Sequence, residues 1–381
     1  MIQIFTDEEE CIKWIKNKNI NPKTHRKINP NSKNGIFKQL NKQCGKIASP
    51  IKINSSFIER NFTLENRIKY AKKFMKHFTQ LKDDNLNEFI IIKKDRYNYK
   101  DLILDKRIGS DSKYGVVYST LYGKKPNQYN VATKLLCINE SNDREIMILK
   151  KITKVILAKK TIHFPIMYFD CKVSTSNLNK SLLPGVISTC SDFHINFNEI
   201  FSGDLKMLMT NKKHSFVFIK NTITQLFFSI STFSEYTGFT HKDAHWGNFL
   251  YHEIKPGGFF YYKINNIDVY LENIGYIWVI WDYGFARKQK TNNVHKDYLR
   301  IIKAFYPKSF NGWVPNSIGM NQDAIQFSLS IQDKLELLTY NLNSIESKKI
   351  AIHKILFELY PELLIKPVDD LIINKKPYVI K

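Results

Sequence analysis

The chain has 381 residues, of which 43% are hydrophobic and 13% aromatic, and a formal charge of +23. That much apolar material excludes wholesale disorder and suffices for a two-part packed body. No stretch approaches the roughly 18 consecutive apolar residues of a membrane span, so none is expected.

The acidic run Asp7-Glu8-Glu9-Glu10 behind Met1 is not the build of a signal peptide, and a cytosolic compartment is expected. Lys and Arg number 58 against 35 Asp and Glu, spread along a chain also rich in Asn and Ile. With no arginine-rich or aromatic-spaced segment, nucleic-acid binding is expected to be at most non-specific. The five cysteines, at 11, 44, 137, 171 and 190, are odd in number and include no C-x-x-C pair. That argues against a secreted disulfide framework or a ribbon-type zinc site, and without H-E-x-x-H a metal hydrolase has no support.

Residues 1–48 read as a unit of their own: Cys11-x-x-Trp14, then Asn21-Pro22-x-Thr24-x-Arg26-x-Ile28, then Phe37, Leu40 and Cys44. Pro22 and Pro30 mark turns, and short helices fit 8–16 and 35–42. This arrangement resembles the two-cysteine adaptor module of proteins from large DNA viruses, although His25 stands where that family usually has Gly. The resemblance implies attachment to a viral or host protein partner. Residues 49–95 form a helical linker. Within it Phe62, Leu64, Ile68, Ala71, Phe74 and Phe78 recur at helical spacing, predicting an amphipathic helix over 61–81 that docks on the body.

Strands follow over 101–108, 115–121 and 129–136, rich in β-branched and aromatic residues. A short helix over 143–151 comes next, then two strands ending near Ile200, with 185–190 an alternative for the last of them. From Gly203 helices dominate: one starts over 204–209, and a long apolar one spans 216–236. The expected class is α+β, β-rich over 96–200 and helical over 201–381.

Two motifs carry the chemistry: His241-Lys242-Asp243-Ala244-His245-Trp246-Gly247-Asn248 and Trp281-Asp282-Tyr283-Gly284. They supply a carboxylate to accept a hydroxyl proton, and an amide with a second carboxylate to hold Mg²⁺, the set that phosphoryl transfer needs. Upstream, Gly109 and Gly115 flank a turn with Tyr114 near its tip, where backbone N–H groups approach phosphates. In Val131-Ala132-Thr133-Lys134, Ala132 leaves room for a base and Lys134 reaches phosphates. Glu145 is its expected partner, ahead of Glu140. The 198–205 segment reads as the passage into the helical half.

Together these motifs resemble the catalytic core of the protein-kinase family, in its viral Ser/Thr members, over about 97–300. The resemblance implies a two-lobed protein-kinase-like fold, with an N-lobe over 96–200 and a C-lobe over 201–381. It implies ATP held by Ile108, Gly109, Ser110, Gly115, Val117, Ala132 and Lys134, with backbone of Glu199 and Phe201 on the base edge. Mg²⁺, or Mn²⁺ in its place, falls to Asn248 and Asp282. Asp243 would act as base, with Asn248, Lys134 and Glu145 completing the catalytic set. His245 stands where Ser/Thr kinases carry Lys and reads equally as a cation at the transferring phosphoryl group or as a structural donor.

The chain departs from the pattern in several places. Ser110-Asp111-Ser112 replaces the middle Gly, and Lys242 replaces the usual Arg. The interval 145 − 134 = 11 is short and suggests a reduced helix. The interval 282 − 243 = 39 is long and suggests an inserted β-hairpin in 255–274. No Ala-Pro-Glu follows. The expected function is Mg-ATP-dependent phosphorylation of Ser/Thr in protein substrates, in the cytoplasm of an infected host cell or packaged in the virion. The alternatives are a small-molecule kinase of the aminoglycoside or choline type and a virion-associated pseudokinase scaffold.

Overall fold

A computed structural model describes residues 64–80, 89–93, 96–99, 102–108, 115–122, 129–174 and 185–381. The chain divides into two units, Met1–Glu59 and Arg60–Lys381, and every described residue belongs to the second. The expected adaptor over 1–48, with Cys11 and Cys44, lies outside the described residues, as do Gly109 and Ser110.

Helix α1 (Leu64–Gln80) forms where the apolar spacing places it. Leu64, Ile68, Ala71 and Phe74 make one buried face. That face packs on the sheet, with the Phe74 ring stacked 5.2 Å from Tyr168.

The N-terminal region is an antiparallel sheet of seven strands: β1 (Phe89–Lys93), β2 (Arg96–Tyr99), β3 (Leu102–Ile108), β4 (Gly115–Tyr122), β5 (Tyr129–Cys137), β6 (Met167–Ser174) and β7 (Asp192–Asn198). Their spatial order is β1-β2-β3-β4-β5-β7-β6. The first two strands precede the predicted ones. Segment Gly185–Thr189 is a 3₁₀ turn, so the last strand is β7 and the alternative over 185–190 falls.

Helix α2 (Glu140–Leu157) crosses between β5 and β6 and corrects the expectation of a reduced helix: it is 18 residues long. What is short is the connection, because only Ile138 and Asn139 separate strand from helix. Asn139 caps it by accepting from Asn142 N–H, satisfying an N-terminal donor that a short connection would leave open. A Cys137–Cys190 disulfide, with Cα atoms 5.6 Å apart, ties the end of β5 to the turn before β7. Sequence spacing gave no sign of that bridge.

Helices dominate the C-terminal region: α3 (Leu205–Asn211), α4 (Phe216–Thr237), α5 (Lys296–Ile302), α6 (Gln322–Asn341) and α7 (Ile345–Leu359). Helix α4 is apolar nearly all round and buried along most of its 22 residues, so it forms the centre of this half. It stops at Gly238, whose φ of +75° suits the left-handed cap.

Small strands precede and follow α4, namely β8 (Gly203–Asp204), β9 (Phe239–Thr240), β10 (Phe249–Glu253), β13 (Tyr276–Ile280) and β14 (Arg287–Lys288), of which β9 and β13 pack on it. The inserted hairpin is present as β11 (Phe259–Ile264) and β12 (Ile267–Glu272). Strand β15 (Tyr378–Ile380) pairs with β11 in parallel, a closure the sequence did not suggest. The described residues thus form a mixed α/β structure, sheet first and helices after. Among them no helix is long and apolar enough to cross a membrane.

Candidate active site

Directly paired residues of an antiparallel ladder point to one face. The register Ile108↔Val117, Val117↔Lys134 and Lys134↔Asn196 therefore makes one row across the sheet. Ala132, between Ser119 and Asn198, makes the next row on that same face. Four of the residues assigned to nucleotide contact (Ile108, Val117, Ala132, Lys134) are thereby gathered. Gly115 has a different use: a Cβ there would meet the Leu135 carbonyl oxygen at 2.4 Å and Leu136 Cδ2 at 2.6 Å. Its missing side chain lets β4 and β5 approach.

Lys134 is buried and its Nζ lies 2.6 Å from Glu145 Oε1 and 3.5 Å from Asp282 Oδ1. Glu145, not Glu140, is the partner; Glu140 pairs with Arg144 at the surface. Burial pulls the ammonium down, but Asp282 and then Glu145 more than offset it, so Lys134 stays protonated above its ordinary value. Burial pushes the Glu145 carboxyl up to about 7 against the pull of Lys134. Lys134 holds Asp282 below the usual carboxylate range. Two carboxylates thus share one ammonium, and the more buried one is the weaker acid.

The two sequence motifs meet through their backbones. Trp281 N–H donates to Asn248 O at 2.8 Å, and the His241 ring bonds Trp281 O through Nε2 at 2.9 Å. Asn248 Nδ2 donates to Asp243 O at 2.9 Å and Oδ2 at 3.2 Å. Its Oδ1 has no protein partner among the described residues, and Oδ1 and the half-exposed Asp282 carboxylate are the oxygens that could hold Mg²⁺. Among the described residues no group of three or more His, Cys, Asp or Glu is gathered for a metal. Lys242 and Asp282, one in each motif, adopt left-handed backbone with φ of +70° and +62°. For non-glycine residues that costs about 1–2 kcal/mol each, and such outliers cluster at functional sites.

His245 is held within the loop by a local hydrogen bond. Its Nδ1 accepts from Gly247 N–H at 3.0 Å, which leaves the proton on Nε2, 3.6 Å from Asp243 Oδ2. Burial, opposed by Asp243 and reinforced by Arg300, lowers its pKa, so the ring is neutral. Within the loop His245 is thus an acceptor of the Gly247 N–H, with Nε2 turned toward Asp243.

Glu199, assigned to the base edge through its backbone, is engaged through both its N–H and its side chain. Its N–H is already donated to Ile166 O at 2.9 Å. Its carboxylate is buried and takes both Nε and Nη2 of Arg67 at 2.8 Å, with His252 Nε2 3.1 Å away. Burial would raise this carboxyl, but Arg67 and His252 overrule it and hold it at about 2. Phe201 stays half-buried beside the site, its ring 6.5 Å from that of Trp281.

Several residues at the site escaped sequence reasoning. Trp281 places its ring 5.8 Å from Lys134 Nζ. Asp297 on α5 is buried and accepts the N–H groups of His241 (2.7 Å) and Lys242 (2.9 Å), fixing the loop before Asp243. Arg300, one turn on, pairs with Asp243 itself. Asn196 and Asn198 bond each other and leave Asn196 Nδ2 and Asn198 Oδ1 without partners on the Lys134 face. Apart from Trp281, which opens the second motif, no local pattern marks these, because each acts across a tertiary contact. No protein-family model matches the chain, and no curated protein matches it.

Proposed function

We propose that the chain is an Mg-ATP-dependent protein kinase of Ser/Thr hydroxyls, built as a two-lobed kinase-like body, acting in the cytoplasm of an infected cell. One observation carries the reading: Lys134 Nζ lies between Glu145 and Asp282, 11 and 148 residues away in sequence. A buried ammonium held between two carboxylates, beside an Asp–Asn pair, is what binding and transferring a phosphoryl group requires.

Bound Mg-ATP supplies the transferable γ-phosphoryl group and neutralises its charge, and Asn248 Oδ1 and the Asp282 carboxylate would hold the cation. Lys134 offers its ammonium to the phosphates, and Glu145 keeps it aimed. Asp243 accepts the proton of the acceptor hydroxyl, and Asn248 Nδ2 orients that carboxylate by hydrogen bonding. Neutral His245 stiffens the loop through Gly247. Charge and position thus account for the catalysis, with little covalent work for the protein.

The test is γ-phosphate transfer by wild type and Asp243→Asn. Turnover should fall by a factor on the order of 10²–10⁴, the worth of a positioned base, while nucleotide binding persists. Equal turnover of the two proteins sinks the reading. A small-molecule acceptor is the second reading, motivated by the missing Ala-Pro-Glu after Gly284. Phosphorylation of aminoglycosides or choline, with none of proteins, would favour it.

A further inference from the structure

Helix α5 sends two side chains, three positions apart, into the Asp243 loop. Asp297 is committed to backbone N–H groups. Arg300 reaches the catalytic carboxylate: its Nη2 lies 2.9 Å from Asp243 Oδ1, with side-chain exposures of 43% and 20%. The other oxygen, Oδ2, is taken by Asn248 Nδ2 at 3.2 Å and faces His245 Nε2 at 3.6 Å. Both oxygens of the proposed proton acceptor are therefore covered, one by neutral groups and the other by a permanent cation.

A guanidinium has five N–H donors in a fork suited to carboxylates. The Asp243 contact is monodentate, and Arg300 makes no other hydrogen bond or ion pair among the described residues. Its half-exposed fork has donors to spare. The surrounding chain has one sign of charge. Between Phe285 and Met320 lie Arg287, Lys288, Lys290, Lys296, Arg300, Lys303 and Lys308 against a single acid, Asp297. That acid is buried.

Resting on the kinase reading above, we propose that Arg300 is a substrate-released cap on Asp243. A carboxylate beside the acceptor hydroxyl draws the guanidinium away, freeing Oδ1 to accept the hydroxyl proton. Acidic segments are therefore the selected substrate class. A neutral segment leaves the cap in place; a basic one is repelled by the cap.

The test uses the full chain and a degenerate peptide library with a fixed central Ser or Thr, each flanking position set in turn to Glu, Gln or Lys. Wild type should favour Glu over Gln at one or more positions by about tenfold or more in kcat/KM, the worth of one charge-assisted hydrogen bond. In Arg300→Gln that ratio should collapse to within about twofold, with the rate on Gln peptides raised, because the cap is gone. Arg300→Lys should restore part of the preference. An unchanged Glu/Gln ratio in Arg300→Gln overturns the inference while leaving Asp243-dependent transfer, and hence the kinase reading, intact. An equal loss on all peptides makes Arg300 a fixed positioning residue and overturns it too. If wild type phosphorylates no peptide or protein, both readings fall together.

Discussion

Replacing Arg67 by Ala isolates one buried ion pair. Arg67 is 1% exposed and donates four hydrogen bonds: to both oxygens of Glu199, to Ile162 O at 2.7 Å and to Phe164 O at 2.6 Å. Removing it strands a carboxylate and two carbonyls in the interior. Breaking a buried pair from one side costs about 3–5 kcal/mol.

A second route gives a similar figure. Glu199 is held at about 2 in the folded protein. Against an unfolded carboxyl near 4.3, that difference corresponds to ~3 kcal/mol at neutral pH. The folded pKa is the lower one, so this stability is present above about pH 4.3 and is lost as pH falls toward 2. At about 2 °C per kcal/mol for a body of this size, Arg67→Ala should melt roughly 6–10 °C below wild type at pH 7. The gap should narrow between about pH 4 and pH 2. The double variant Arg67→Met, Glu199→Leu should recover much of the loss, since an apolar pair needs no counter-charge. Thermal melts by circular dichroism across pH read all three. Should Arg67→Ala melt within about 1 °C of wild type at pH 7, the buried pair does not hold α1 to the body in this way.

Three further outcomes follow from the same geometry. Lys134→Met should abolish the rise in melting temperature on adding Mg-ATP; a retained shift would remove Lys134 from the phosphate site. Because burial places Glu145 at about 7, kcat/KM for ATP should decline as pH drops through that value and protonation takes away the partner of Lys134. Glu145→Gln should be slow and flat across the range; an unaltered acid limb in that variant would assign the titration elsewhere. Gly115→Ala should destabilise by about 1–3 kcal/mol in urea unfolding, since its Cβ must push β4 off β5; a neutral effect would mean that the strands part without strain.

Much of the fold was legible because its signals are local. Periodicity placed α1 and α4, β-branched runs placed β3 to β5, and the long interval between Asp243 and Asp282 marked the β11–β12 hairpin. Spacing misled at α2, where 11 residues between Lys134 and Glu145 reflect a tight turn and not a short helix. The side chain of Glu199 was not legible, because only the arrival of α1 makes it half of a buried ion pair.

The sequence by itself determined which side chains carry the candidate chemistry, since Asp243, Asn248, Asp282, Lys134 and Glu145 sit in motifs whose order and composition are readable along the chain. Tertiary structure alone decided their states. Arg300 covers Asp243 from 57 residues away, and Arg67 reaches Glu199 across 132. Charge on a side chain is a property of its type, but the partners and burial that tune it come from segments whose separation leaves no mark in sequence spacing.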